Sequence, residues 1–362
     1  MMKMNVFASF NKTKIKKVLL GHGESKGLIK QIVIYALLVG MGYIFLYPLL
    51  KMISMSFMSF EDLLNPEIEW IPSRFSFNNF KVANTILKIF PYSWTAEGLN
   101  FFQRIFQTFK APGNLYMSLR NVGFLAIIQT IIASLTGFAF ARFNFKFKKF
   151  WFFMVIITFV IPLPMVTMPR MSILSFVQDK LWVPIYDSIF AGNFLGKVFN
   201  RTIFNTLAPQ IFFAVFGQGI NSAILVLIFY NFFKMIPKSL DEAARMDGAT
   251  SFQVFYNIYV KLVIPIVIVV FLFSFIWNWN DSYSAQVYFS VNNPLIISRL
   301  SLFDSEFAGL SNSMPGQNTE ALLNEGYKTA ATFLSILPLL IIYLFAQKKF
   351  IEGIERTGIT GE

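Results

Sequence analysis

The chain contains no cysteine and a single histidine among its 362 residues. Without thiols there can be no disulfide, thiolate nucleophile, iron–sulfur cluster or cysteine-built zinc site. The one imidazole, His22, lies in Gly21-His22-Gly23 ahead of the first apolar run. Alone, it reads as a solvated loop residue rather than a ligand or base. Charged residues are scarce too, at 14%. No Gly-x-x-x-x-Gly-Lys-Ser/Thr string occurs, so the chain has no phosphate loop with which to hydrolyse a nucleotide. It also lacks the Asp-x-x-Asp or Asp-x-Asp cluster that a membrane glycosyl- or prenyl-transferase would use to hold its metal. No catalytic or metal-ligating residue is therefore assigned.

Apolar residues are abundant, at 55%, with 45 phenylalanines and a mean hydropathy of +0.57. A soluble domain of this length would need a much larger polar shell to bury so much apolar surface. Several runs of about 20 residues carry few or no charges, the length at which a helix crosses about 30 Å of hydrocarbon. The sequence thus predicts an all-α membrane protein with six transmembrane helices, at about 31–53, 118–141, 150–176, 210–233, 262–285 and 328–347. The 15 prolines do not oppose this, because neighbouring helices can re-satisfy freed carbonyls.

Basic residues orient the spans. Seven lysines precede residue 31, Arg142, Lys146, Lys148 and Lys149 follow the second span, and Lys234, Lys238, Arg245 and Lys261 flank the segment between the fourth and fifth. Lys348, Lys349 and Arg356 follow the sixth. These 18 of the 31 basic residues share one face with only seven of the 19 acids, so that face is expected to be cytoplasmic, with both termini on it. The net charge of +12 is then a topology signal and not a nucleic-acid-binding surface. The expected organisation is a basic cytoplasmic tail over residues 1–30, a transmembrane domain over 31–350 and a cytoplasmic C-terminal tail over 351–362. Extracytoplasmic loops are expected at about 54–117, 177–209 and 286–327.

One polar interruption stands out between Pro237 and Pro265. Ser239-x-x-Glu242 and Thr250-x-x-Gln253 both have the capping-box pattern, in which a hydroxyl and an acid or amide satisfy each other's orphan backbone N–H groups. Between them, Gly248 permits a sharp turn, and Ala243 and Ala244 allow a partner's backbone to come close. Phe252, Phe255, Ile258, Tyr259 and Leu262 recur at helical spacing and are expected to pack the second helix on the chain's own spans. Asn280 and Asp281 fall near the outer end of span five, where an ionisable group should face a cavity or a polar partner.

Glu242-Ala243-Ala244, followed by Gly248, Ile258, Leu262 and Pro265, resembles the EAA loop of ABC-importer permeases. The fuller string from Asp241 to Thr250 looks like the carbohydrate-uptake, maltose-type branch. Ala139-Phe-Ala-Arg142, Pro162-x-Pro-x-x-Thr167-x-Pro169, Trp279-Asn280-Asp281 and the run from Leu337-Pro338 to Thr357-Gly358-Ile-Thr-Gly361 are similar to other signatures of that family, in order. The family usually places a proline where this chain has Lys261. The segments 91–116 and 177–204 look like insertions to which no role transfers.

The resemblance implies a type I ABC importer transmembrane domain with a cytoplasmic coupling-helix pair at 237–261, which docks on an ATPase through Glu242, Ala243, Ala244, Asp247 and Gly248. It further implies a C-terminal tail contacting the ATPase through Thr357, Gly358 and Gly361, a translocation path passing Asn280 and Asp281, and an outer loop with Ser311, Asn312, Pro315 and Gly316 facing an extracellular solute-binding protein. The implied partners are a second, non-identical permease, an ATP-binding cassette dimer and the lipid bilayer of a bacterial plasma membrane. ATP and Mg would be used by the ATPase, with no cofactor bound by this chain. The implied activity is binding-protein-dependent import of a sugar, an oligosaccharide above others. A permease for glycerol phosphate, or a self-contained secondary transporter with paired intramembrane charges, is the alternative.

Overall fold

The computed structural model describes residues 27–91, 100–104, 113–190, 192, 200–289, 294–311 and 323–358, and every regular element among them is a helix. The first is α1, Leu28–Phe57. Two short helices follow on one side of the bundle, α2 (Phe60–Leu64) and α3 (Asn78–Leu87). The long α4 spans Asn114–Arg142. Next come α5 (Lys148–Val160) and α6 (Leu163–Phe190), then α7 (Ala208–Val215), α8 (Ser222–Met235) and α9 (Ser239–Met246). Helix α10 starts at Ser251 and reaches Trp279 through a π-helical turn at Phe255–Tyr259. The last four are α11 (Ser282–Tyr288), α12 (Ile296–Ser301), α13 (Phe303–Ser311) and α14 (Leu323–Gly358).

Four helices are long and apolar enough to cross a membrane, within Leu28–Phe57, Asn114–Arg142, Phe252–Trp279 and Glu325–Lys348. Helices α5 and α8 are also apolar, but each meets its successor across a sharp bend, 109° from α5 to α6 and 68° from α8 to α9. Counting each bent pair as one span gives six.

The third and fourth spans are not the continuous helices expected over 150–176 and 210–233. The third breaks after Val160, because Pro162 holds Ile161 in extended backbone, and Pro164 then fits the first turn of α6, where no N–H is needed. The fourth breaks between Phe216 and Asn221, where Gly217 (φ +71°) and Asn221 (φ +50°) take left-handed conformations. The fifth helix ends at Trp279 and a new one begins at Ser282, so it does not continue to 285. The sixth runs on to Gly358, so most of the segment expected as a C-terminal tail continues the helix. The expected N-terminal tail lies outside the described residues except at its end.

Two apolar cores hold α4, α10 and their neighbours together. Towards the end of the bundle that carries α3, α12 and α13, Ile86, Leu87, Val122, Ala126, Phe275, Trp279, Ile296 and Phe303 pack with Ala330 and Ala331 of α14. Towards the opposite end, Ala133, Phe140, Phe229, Phe233, Tyr259, Val263 and Ile266 join α4, α8 and α10. By contrast, α1 buries only Ser56 and lies along α14, leaving an apolar surface of the kind hydrocarbon covers.

Between the cores lies a buried polar clamp. Gln129 Oε1 accepts from Ser274 Oγ at 2.7 Å and Asn278 Nδ2 at 3.0 Å, while Gln129 Nε2 donates to Asn278 Oδ1 at 3.3 Å. Side-chain amides that satisfy one another across helices fix a register that apolar packing in lipid leaves loose. On the α3 side, the Ser59–Asp62 pair forms a capping box, and Ser73 donates to Asp62 from both its backbone and its hydroxyl. The Ser73 hydroxyl outweighs burial and holds the Asp62 carboxyl below its usual range.

Gly137 sets how closely α4 meets α8: a Cβ there would lie 2.6 Å from Phe229 Cβ and 2.9 Å from the Tyr230 backbone nitrogen. Gly40, in α1, has nothing within 4 Å. Gly137→Ala is expected to destabilise the protein by about 1–3 kcal/mol through overpacking. Gly40→Ala should be neutral or slightly stabilising. Detergent melting curves of the two variants check the contrast, and equal melting temperatures would refute the close-packing assignment.

Candidate functional site

Helix α9 is short and its ends are defined by the chain itself. Asp241 and Glu242 donate their backbone N–H groups to the Lys238 carbonyl, at 2.9 and 3.1 Å, so the helix begins at Lys238. Lys238 is the N-cap and has no side-chain capping bond. The Ser239–Glu242 capping box is therefore not formed, because Ser239 already sits in the first turn. Asp241 and Glu242 still place negative charge at the positive end of the helix dipole, and Arg245 lies in the last turn.

The other end is closed by Gly248. Its N–H reaches the Arg245 carbonyl at 3.0 Å, and the Ala249 N–H reaches the Ala244 carbonyl at 2.9 Å. With Gly248 at φ +79°, this pair of bonds is a Schellman motif, which favours glycine because a Cβ is strained in the left-handed region. The second capping box forms as expected: the Thr250 N–H donates to Gln253 Oε1 at 2.8 Å, and the Gln253 N–H to Thr250 Oγ1 at 3.3 Å.

Helix α9 has two faces. Asp241 and Ala244, three residues apart, are half-buried against the bundle. Glu242, Ala243 and Met246 occupy the opposite stripe and are exposed, with Met246 at 89%. Asp247 and Gly248 are exposed beside them. The motif does not single out Met246, although it lies three and four residues after Ala243 and Glu242, the spacing that puts it on their face. An exposed methionine beside an acidic group is an adaptable apolar contact.

What holds the inner face is an aromatic anchor. Tyr259 is completely buried, and its phenol donates to Asp241 Oδ1, tying the start of α9 to the base of α10. The Arg142 guanidinium, at the end of α4, lies 4.8 Å from the centre of the Tyr259 ring. The same group donates to the Ile236 carbonyl at 2.5 Å, capping the C-terminus of α8. Three spans and α9 thus meet at one tyrosine. The expected packing face of α10 is only partly observed. Tyr259 is buried, and Phe255 and Ile258 are partly buried, but Phe252 and Leu262 are exposed and Val254 is buried in their place. The π turn explains this, since one extra residue in the turn shifts the face that points inward. It also shows what replaces the proline expected at Lys261: the second short helix does not end there but continues into α10.

The remaining sequence-predicted residues are scattered. Asp281 is the N-cap of α11, accepting the Ser284 N–H at 3.0 Å. Asn280 is exposed and donates to the Ile276 carbonyl at 3.0 Å, while its neighbour Asn278 belongs to the buried clamp with Gln129. Ser311 ends α13; Asn312, Pro315 and Gly316 lie outside the described residues. Thr357 and Gly358 end α14, and Gly361 lies outside the described residues.

Residues 129–356 match the model of the family described as the binding-protein-dependent transport system inner membrane component. The chain belongs to this family. Similar proteins include the arabinooligosaccharides transport system permease protein AraQ of Halalkalibacterium halodurans, 23% identical over 88% of this chain and 92% of that one. The melibiose/raffinose/stachyose import permease protein MelC of Bacillus subtilis is 27% identical over 81% and 84%. The maltodextrin transport system permease protein MalD of Streptococcus pneumoniae is 25% identical over 69% and 75%. In fold, the permease is similar to a chain in the crystal structure of a bacterial ABC transporter involved in the import of the acidic polysaccharide alginate, with a TM-score of 0.58 at 18% identity, covering 91% of this chain and all of that one. The permease is a membrane-embedded transport subunit and not an enzyme: the ATPase and the solute-binding protein that the family requires are separate chains.

Tyr259→Phe removes the phenol that holds Asp241 and leaves the ring under Arg142. Amide exchange across α9 is expected to accelerate about fivefold, the equivalent of about 1 kcal/mol for one hydrogen bond, with little change in the apolar centres of α4 and α10. Hydrogen-exchange mass spectrometry checks this, and unchanged exchange in α9 would mean that the phenol is not its anchor.

Proposed function

We propose that this permease carries an oligosaccharide into a bacterial cell, as one of two non-identical membrane subunits served by an ATPase dimer and an extracellular binding protein. The observation that carries the docking part of this reading is the build of α9: an inner face fastened through Asp241 to a buried tyrosine, and an outer stripe of Glu242, Ala243 and Met246 left exposed. A helix fixed on one face and bare on the other suits a groove in a partner that must pull on it. The sugar assignment is supported by the transport systems its relatives belong to, which include those for arabinooligosaccharides, melibiose/raffinose/stachyose and maltodextrin.

In this reading Glu242, Ala243, Ala244, Asp247, Gly248 and Met246 form the ATPase contact, with Ala244 supporting it from the inner side. The clustering of basic residues puts α9 and both termini in the cytoplasm. Thr357, Gly358 and Gly361 extend towards the ATPase, which uses ATP and Mg, and Ser311, Asn312, Pro315 and Gly316 face the binding protein. ATP closure favours one orientation of the spans by contacts made in the ATPase dimer, and α9 transmits that preference.

The test is reconstitution with a sister permease, an ATPase and a solute-binding protein. Met246→Asp and Gly248→Pro are each expected to lower binding-protein-stimulated ATPase activity about tenfold, corresponding to about 1.4 kcal/mol of lost coupling. Uptake of radiolabelled raffinose, maltotriose or arabinotriose should fall in parallel. Full ATPase stimulation and uptake in both variants, with normal assembly, would remove α9 from the coupling path.

A further inference from the structure

Helices α4 and α5 are joined by only five residues, 143–147, at the end of the bundle that carries α9. A connection of that length reaches at most about 20 Å, so the turn stays at the surface of the membrane that its two helices enter. Its side chains suit that level. Phe143, Phe145, Phe147, Phe150 and Trp151 are exposed, Phe147 at 68%, and Lys146 and Lys149 stand exposed between them. The Lys146 ammonium lies 5.5 Å from the centre of the Phe147 ring. The Lys148 ammonium closes the turn by donating to the Phe143 carbonyl at 2.9 Å.

The end of α8 brings a further cation to the same level. Helix α5 leaves the turn while α8 returns towards it, and Phe152 meets Tyr230 across the pair at a ring-centre distance of 4.6 Å. Lys148 lies four residues before Phe152 and Lys234 four residues after Tyr230. Both therefore sit one turn beyond that ring pair, on the surface side. Lys234 is exposed, with its ammonium 5.8 Å from the centre of the Tyr230 ring.

The chain does not neutralise this group. No aspartate or glutamate occurs from 98 to 178 or from 188 to 240. Among the described residues Lys146, Lys148, Lys149 and Lys234 form no ion pair. The next acid along the chain, Asp241, accepts from the Tyr259 phenol. Cations gathered this closely repel one another unless an anion joins them. Aromatic rings beside lysines favour the headgroup boundary, and the anion present at that depth is the phosphate of a lipid. A zwitterionic headgroup brings no net charge to offset the lysines, whereas an anionic one does.

We infer that the α4–α5 turn and the end of α8 form a binding site for an anionic phospholipid. Lys146, Lys149 and Lys234 hold its phosphate, and Phe147 and Trp151 pack against its glycerol and upper acyl chains. Lys148, tied to Phe143, positions the turn. The site requires only that the chain lies in a bilayer and is independent of the solute. A lipid bound there ties α5 to the end of α8, from which α9 departs.

The absence of cysteine allows a local probe. Asn144→Cys in the turn carries a fluorescent label, and Val39→Cys in the apolar α1 carries the same label as the reference. The chain is assembled with a sister permease and an ATPase in phosphatidylcholine nanodiscs. These contain a minor fraction of phosphatidylglycerol or of phosphatidylcholine, each with a nitroxide near the headgroup. At Asn144→Cys the anionic lipid is expected to quench at least about threefold more strongly than the neutral one, and at Val39→Cys the two should quench equally. Salt at about 1 M should remove the preference by screening. Lys146→Gln, Lys149→Gln and Lys234→Gln together should abolish it, while arginine at the same three positions should keep it, which separates lost charge from misfolding. Equal quenching by both lipids in the turn, an equal preference at both labelled positions, or a preference that survives the three glutamines overturns the site. Displacement by inorganic phosphate at constant ionic strength assigns it to a free anion and overturns the lipid. Absence of quenching by either lipid means that a partner protein covers the turn, and overturns it as well.

Discussion

Hydrocarbon offers no hydrogen-bond partner to a peptide group, and that constraint shapes every part of this molecule. It makes each described element a helix, and it makes each departure from a helix informative, because a freed N–H or C=O must be answered by protein or by water. The Arg142 cap on Ile236 and the Gln129 clamp are both answers of the first kind. They lie where spans must hold a fixed relation to one another.

The molecule therefore divides its polar groups by task. Those with partners inside the bundle, such as Asn278, Asn79 and Asp62, fix register and loop geometry. Others stay exposed, among them those of the outer stripe of α9. Behind that stripe lies the aromatic core around Phe138, Phe233 and Tyr259, whose rings meet edge-on or tilted at centroid distances of 4.7 to 5.9 Å. A core of flat, interlocked rings deforms little, and it ties α9 through Tyr259 to α4 and α8.

Local chemistry was legible in the sequence wherever it depended on neighbours a few residues apart. Thr250 and Gln253 formed the expected box, and Gly248 the expected turn. Ser239 did not cap, because Pro237 and Lys238 start the helix one residue too early, a difference no motif spacing records. The breaks at Pro162 and Gly217 carried their usual residues but were hidden inside runs apolar enough to pass as whole spans. The pairings of Tyr259 with Asp241 and of Gln129 with Asn278 span 18 and 149 positions. Such contacts depend on packing and, for Tyr259, on a π turn that alters the register of the face. Hydrophobic periodicity alone assumes 3.6 residues per turn throughout and cannot place them.

The substitution of Lys261 for a helix-ending residue has a mechanical meaning. Because α10 passes through the π turn without stopping, the segment from Phe252 to Trp279 is one continuous helix of 28 residues, with Pro265 inside it. Its length is about 42 Å at 1.5 Å per residue. A tilt of about 5° imposed at one end moves the other by about 4 Å, comparable to half the spacing between packed helices. A small rotation at its α9 end would be amplified at its other end, where Trp279 is buried and donates to the Ser335 carbonyl. The chain gains leverage by omitting a joint.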